Sequence, residues 1–299
     1  MSIRRHANRA ALLAVLLLLC VACGTQSPPF TADRTPAPKL PASVNLVPDG
    51  YDGRFRTRAT VLESPDLGPR LCYAVAESYP PQCSGTPIAG WDWSTVRAES
   101  AHGTTWGEYV VTGTYDGETF TLTEPAEPAR GLPHAIDDDA LVTPCPAPAG
   151  GWRPVDPATA TQAALEAAAR EAEQADGYAG LWIDQRIPAD EISEQNANNP
   201  KRFVLNIRTT GDVSVMEAAV RAVWGGSLCV SPAVRSAAQL DGIAQALPEL
   251  PGLISKTSNE QTGQVWLDLV VARTSLQRDL DQRFGAGTVR LFGLLEPID

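Results

Sequence analysis

The sequence predicts an α+β protein: a small antiparallel β-barrel, OB-like, followed by a ferredoxin-like α/β sandwich. Three observations carry this expectation. The chain has 299 residues, 43% hydrophobic and 20% charged, enough to bury cores in about two domains and unlike disordered, collagen-like or multi-span membrane chains. Residues 55–123 break into short alternating runs punctuated by Pro and Gly. Beyond residue 200, two strand–helix–strand patterns follow one another.

Residues 1–22 read as an export signal. Arg4, Arg5 and Arg9 form a positive start, and the apolar run Ala10 to Leu19 follows. That run falls short of the roughly 20 apolar residues a membrane-spanning helix needs. It ends in Leu19-Cys20-Val21-Ala22-Cys23-Gly24. Small Ala22 before Cys23 resembles the lipobox of bacterial lipoproteins, with one departure: Cys20 stands where that pattern prefers Leu, Val or Ile. The resemblance implies that Cys23 is lipidated and becomes the first residue of a membrane-anchored, extracytoplasmic protein. Removing residues 1–22 takes away three Arg and no acid, moving the net charge from −11 to −14. An acidic domain is repelled by an acidic envelope, so lipid would hold it there. Outside the first nine residues no basic run supports nucleic-acid binding, which draws its affinity from phosphate neutralisation.

Residues 23–50 read as a tether. Pro28, Pro29, Pro36, Pro38, Pro41 and Pro48 with Thr, Ser and Ala between them make it extended and unpacked. Residues 51–125 read as the small β-barrel. Arg54 to Leu62, Leu71 to Val75 and Trp91 to Arg97 read as strands, and Glu108 to Thr114 and Glu118 to Thr123 flank Tyr115-Asp116-Gly117. Asp-Gly between alternating runs is a strong hairpin signal because both turn residues tolerate positive φ. Residues 126–152, Pro-rich and carrying Asp137-Asp138-Asp139, read as a linker. Three adjacent carboxylates do not converge on a cation alone, so this run is a solvated loop.

Residues 153–299 read as the α/β sandwich. A helix runs from an Asp156 cap and Pro157 to about Ala175, and Gly180 to Ile187 is a strand. A polar loop spans 190–200. The first βαβ unit is strand Phe203 to Ile207, helix Val213 to Trp224 and strand Ser227 to Val230. The second is strand Val265 to Val271, helix Ser275 to Phe284 and strand Thr288 to Phe292, with a helix from about Ala233 to Leu247 inserted between the units. Both βαβ helices end in an aromatic residue followed by glycine, a helix stop.

Past the signal the cysteines are Cys23, Cys72, Cys83, Cys145 and Cys229. Setting the lipidated one aside leaves four, an even number suited to disulfides in an oxidising compartment. Cys72 and Cys83 are spaced to close a loop across Pro80-Pro81, and Cys145 then pairs with Cys229 or both stay free; spacing alone leaves three pairings open. No Cys-x-x-Cys or His-x-x-x-His spacing marks a metal site, and no residue pattern calls for a cofactor. Past the signal the histidines are His102 and His134, without ligand spacing, and no Gly-x-Ser-x-Gly elbow or phosphate loop is present. No catalytic residue is predicted. Trp91, Trp93 and Trp106 are candidate ligand-binding residues, as a stacking platform for a sugar or peptide. In a strand Trp91 and Trp93 share one face, which suits a platform or a core layer, and the core layer is the favoured reading because small barrels need large side chains inside.

Leu71-Cys72 with Pro80-Pro81-Gln82-Cys83, then Trp91-Asp92-Trp93 and Gly113-Thr114-Tyr115-Asp116-Gly117, resemble a module recurrent in actinobacterial secreted proteins and lipoproteins. Trp224 to Val230 and Leu280 to Gly285 are similar to the C-terminal part of that group. The resemblance implies an envelope location and cysteines that belong to the fold; it supplies no catalytic residues. The expected function is a non-catalytic module that binds an envelope protein or a small ligand. A hydrolase with a dispersed site and a structural spacer are the alternatives. An enzyme should show a deep interdomain cleft where titratable groups converge, a partner-binding module an exposed apolar patch, and a spacer neither.

Overall fold

A computed structural model describes residues 44–129, 142–185, 193, 196 and 198–298. Within them the chain is α+β, with strands in the majority and four helices. The signal, Cys23, the tether to residue 43, Asp137 to Asp139, His134 and most of the 190–200 loop lie outside the described residues.

The first strand, β1 (Leu46–Val47), precedes seven strands of the N-terminal half: β2 (Phe55–Ser64), β3 (Leu67–Ala76), β4 (Gln82–Ala89), β5 (Glu99–Ala101), β6 (Thr104–Tyr115), β7 (Phe120–Leu122) and β8 (Glu127–Pro128). β2 pairs antiparallel with β3, β3 with β4 and β7 with β6, while β4 runs parallel to β7 and β6 returns to β2. The pairing therefore closes into a ring, and β5 and β8 add to β6. Alternation explains the core: Phe55, Val61, Leu71, Tyr109, Val111 and Phe120 point inward. The short strands β5 and β8 have no counterpart in the sequence reading, and two longer segments depart from it. β4 (Gln-Cys-Ser-Gly-Thr-Pro-Ile-Ala) was missed because only its last residues are apolar. Trp91 to Arg97 is not a strand: the Asp92 carboxylate accepts from the Ser94 amide and starts a 3₁₀ turn, Trp93–Thr95.

The C-terminal half repeats one pattern twice. Helix α1 (Gln162–Gln174), strands β9 (Tyr178–Asp184) and β10 (Val204–Thr209), helix α2 (Val213–Arg221) and strand β11 (Ser227–Pro232) form the first unit. Helix α3 (Ala237–Ala246), strands β12 (Leu253–Asn259), β13 (Gln264–Leu269) and β14 (Ala272–Arg273), helix α4 (Thr274–Phe284) and strand β15 (Val289–Gly293) form the second. In each, the first two strands are antiparallel and the crossover helix brings the third parallel to the second. This corrects the ferredoxin-like expectation. The strands form two separate three-stranded sheets, β11-β10-β9 and β12-β13-β15, so the βαβ units never share one sandwich sheet. The helix between them is the opening helix of the second repeat, and β12 escaped the sequence reading because Leu-Ile-Ser-Lys-Thr-Ser-Asn is mostly polar. Each unit has its own core, around Leu205, Ile207 and Trp224 in the first and Leu240, Leu267 and Leu291 in the second.

Helix starts follow local chemistry. α1 is capped by Thr161, whose hydroxyl accepts from the Ala164 amide; Asp156, the expected cap, instead holds a turn through Ala158 and Thr159. Asp212 caps α2, and Ser236 with Gln239 forms a capping box on α3.

The units are joined by side-chain clamps and by the chain ends. Arg208 donates to the Glu260 and Gln261 carbonyls at the β12–β13 turn, and Arg235 donates to the Gly263 carbonyl there. Residues 44–47, assigned by sequence to the unpacked end of the tether, are paired into the fold: Val44 bridges to Phe292, β1 lies parallel to β14, and Val47 is fully buried. The last strand, β16 (Glu296–Pro297), pairs with β2. Val47, Val270 and Leu295 thereby enter the core of the ring.

Candidate functional site

Where the ring meets the second αββαβ unit, the chain leaves a cleft of about 360 Å³. Four segments build it: Tyr51 to Phe55 ahead of β2, the β6–β7 turn at 114–117, the loop 250–252 ahead of β12, and residues 270–276 from β13 into α4. Phe55, Leu250, Pro251, Val270, Val271 and Leu276 make its apolar lining.

The local sequence holds each wall rigid. At the hairpin tip Asp116 Oδ1 accepts from the amides of Glu118 and Thr119 at 2.9 and 2.7 Å, and Gly117 supplies φ +107°. Those two amides, Thr119 first, hold the Asp116 carboxyl below its ordinary range, so it carries a full charge. The Tyr115 hydroxyl donates to the Gly117 carbonyl, and burial pushes its pKa up. On the opposite side Tyr51 donates to the Arg54 carbonyl, accepts from the Ile298 amide, and meets Phe55 edge-on with ring centroids 5.1 Å apart. Arg273 donates to the Pro48 carbonyl. Its neighbour Asp49 caps the start of α4 through Ser275; that hydrogen bond, with Arg278 and Arg273 nearby, keeps the Asp49 carboxyl low.

The residues lining this cleft include no His, Cys, Ser, Lys or Glu. The polar lining is two aspartates, an arginine, Thr114 and two tyrosines, and neither tyrosine hydroxyl donates to a lining carboxylate, each going to a backbone carbonyl instead. The arrangement can enclose an apolar group and set charge around it. Two other concavities lie elsewhere. An open groove of about 580 Å³ runs between α3 and α4 over Ile243 and Phe284, and another of about 390 Å³ lies beneath residues 148–155.

The tryptophans singled out by sequence sit on the ring, away from this cleft. Trp91 and Trp93 meet edge-to-face, centroids 5.1 Å apart, and both pack against Tyr109 over the ring core. Trp93 Nε1 donates to Glu63. The ring contact of Trp106 is with Tyr79, 5.9 Å away, so the three do not form one platform. The four remaining cysteines form two disulfides, Cys72–Cys83 across the β3–β4 hairpin and Cys145–Cys229 between the linker and β11. Among the described residues no cluster of three or more His, Cys, Asp or Glu is placed to hold a metal ion, and no helix is long and apolar enough to cross a membrane.

Of the cleft residues, the sequence places Phe55, Val270 and Val271 on strands, Leu276 on a helix and Tyr115, Asp116 and Gly117 at a turn, and it singles out none of them as a site. Tyr51 and Asp52 meet residues 250–276 of the lining only across some two hundred positions. No local spacing signals such a meeting. No protein-family model and no curated protein matches the chain.

Proposed function

We propose that the chain is a lipid-anchored, extracytoplasmic binding module of the cell envelope, related to the actinobacterial secreted proteins and lipoproteins it resembles, that takes its ligand or partner in the cleft between the ring and the second αββαβ unit. The cleft carries this reading: an apolar interior with charge at its rim and no catalytic constellation suits binding. The lipobox-like end at Cys23 and the two disulfides support the location, since disulfides persist in oxidising compartments. An OB-like barrel for the ring belongs to the same proposal, supported by the return of β6 to β2 and the parallel β4–β7 pair.

The test is in-cell crosslinking of three versions of the protein, followed by mass spectrometry of what co-purifies from membranes. The wild-type chain should retain one dominant envelope component. Val271→Trp, which fills the cleft, should lose it while keeping the wild-type circular dichroism. Cys23→Ala should leave the membrane fraction or stay unprocessed. Retention of the component by Val271→Trp, or unchanged processing and attachment of Cys23→Ala, would overturn the corresponding half of the proposal.

A further inference from the structure

On their helix side the two αββαβ units differ. In the first, Leu165, Ala168 and Ala172 of α1 share one cluster with Met216 and Val220 of α2. In the second, α3 buries Leu240 alone, and the groove of about 580 Å³ opens between α3 and Phe284 of α4. Val234, Ile243, Ala246 and Phe284 make the groove apolar, and Val234 is 81% exposed. Gly242 also lines it, in mid-helix where glycine costs helix stability, and a Cβ there would meet nothing within 4 Å. The missing side chain keeps the groove open.

Two guanidiniums flank Phe284. Arg283 lies over its ring, 4.8 Å from the centroid, and donates to the Ala246 carbonyl on the opposite helix at 2.9 Å. Arg235 lines the groove and donates to the Thr288 hydroxyl, which in turn donates to the Phe284 carbonyl. Both arginines keep their positive charge in these bonds. No carboxylate lines the groove. Of the acids on the two helices, Asp241 is bonded to Ser258, Asp281 to Gln277 and Gly287, and Asp279 sits beside Arg278. Three acceptors of the lining are already taken: the Ala246 and Phe284 carbonyls by Arg283 and Thr288, and the Gln239 side-chain oxygen by the Ser236 amide. The Gln239 NH₂ is left over as a further donor.

We infer that this groove binds a long-chain carboxylate, its head group beside the guanidiniums that flank Phe284 and its alkyl chain over Gly242, Ile243 and Ala246. The groove shares no lining residue with the cleft, so the inference does not rest on the binding site proposed above. A carboxylate is an acceptor without donors, which suits a lining of donors and positive charge. An alkylammonium would bring three donors and a like charge. A peptide segment would bring an N–H at every residue, and a buried N–H without an acceptor is costly. The volume lies within the roughly 300 to 1,000 Å³ of ligand pockets.

The full-length Cys23→Ala chain is titrated by NMR with decanoate, decanol and decylammonium below micelle formation and at equal ionic strength, and with the blocked peptide acetyl-Leu-Glu-Leu-amide. Decanoate should bind about tenfold more tightly than decylammonium, with decanol between them. Arg283→Gln, at an exposed position, should weaken decanoate about two- to fivefold and leave decanol unchanged. Gly242→Leu fills the groove and should abolish binding of both while folding at least as stably, since leucine is the better helix former. Decanol or decylammonium binding as tightly as decanoate would overturn the anion selectivity. Unchanged decanoate binding by Gly242→Leu would overturn the location. Tighter binding of the peptide would replace the carboxylate with an acidic protein partner. Attachment to phosphatidylglycerol vesicles without decanoate binding would assign the groove to a membrane surface and overturn the single-chain ligand. Binding of none of the probes would overturn the inference and leave the cleft reading untouched.

Discussion

The two αββαβ units share a topology and differ in how many faces of their sheets are covered. In the first, β10 reads Val-Leu-Asn-Ile-Arg-Thr, and five of its six residues are buried. One face packs under α1 and α2; the other carries Trp182, Asn206 and Cys229, and linker residues Thr143 and Cys145 are bonded to it. There Thr143 donates twice to Asp184, and Cys145 is bonded to Cys229. In the second unit β13 reads Gln-Val-Trp-Leu-Asp-Leu and alternates, with Trp266 and Asp268 only partly buried on the face away from the helices. Trp266 and Phe292 meet on that face with centroids 5.1 Å apart. The same fold thus carries a bonded linker layer in one copy, while in the other that face is left half-buried. What reads as a Pro-rich spacer is, over residues 142–145, that layer.

The comparison can be broken most strongly at the disulfides. Cys145–Cys229 closes a separation of 84 residues and Cys72–Cys83 one of 11. Chain-entropy reasoning gives losses of about 4–5 and about 3 kcal/mol on replacing each pair with serine. Urea unfolding of the two double variants measures this. Equal losses would mean that the linker adds nothing to the first unit beyond the hairpin's local staple.

Glycine substitutions sharpen the contrast at the next scale. Gly180 on β9 has φ +137°, and a Cβ there would stand 2.3 Å from Glu260 Cβ on the clamped turn. Gly252, in the second unit's loop, has φ +70° with Val270 at an ordinary 3.5 Å. Gly180→Ala should cost about 2–3 kcal/mol and Gly252→Ala about 1 kcal/mol. Thermal unfolding of both variants reads the difference; matched losses would deny the tight junction between the units.

The smallest expected effect is a pH dependence at that junction. Burial raises the Glu260 carboxyl above its ordinary 4.5, the Leu181 amide opposes this, and Asp241 and Glu173 add like charge. The clamping guanidinium of Arg208 binds backbone carbonyls of the turn. The folded state therefore binds the proton more tightly than the unfolded chain, so this group's contribution to stability falls as pH rises from 4.5 toward neutrality. Glu260→Gln, whose amide oxygen still accepts from Leu181, should raise the melting temperature at pH 7 and flatten its decline between pH 4.5 and 7. An unchanged profile would contradict this.

Much of the fold was legible because local chemistry decided it. Asp116-Gly117 demanded a turn, the alternation in 55–62 and 108–114 demanded strands, and Gly285 stopped α4 at φ +91°. The readings that failed did so where a side chain or a distant segment overrode the local pattern. Asp92 captured the Ser94 amide and cancelled a strand. β12 is an edge strand held on one side by β13, so its polar sequence carries no buried pattern. The duplication was half visible: each βαβ core was found, but the opening strand of the second unit was too polar to complete the repeat. The cleft was illegible because residues near 52, 116, 251 and 273 meet only through tertiary packing. The aromatic residues that sequence did offer, Trp91 and Trp93, are engaged with Tyr109 over the ring core.

The most direct measurement places a photo-crosslinking amino acid at Val271 in the cleft and, as a control, at the 66%-exposed Val215 on α2, in the full-length chain in living cells. Irradiation should yield an adduct from position 271 that position 215 does not give. Identical adducts from both positions, or none from 271 when the protein is fully expressed, would contradict a binding function seated in the cleft.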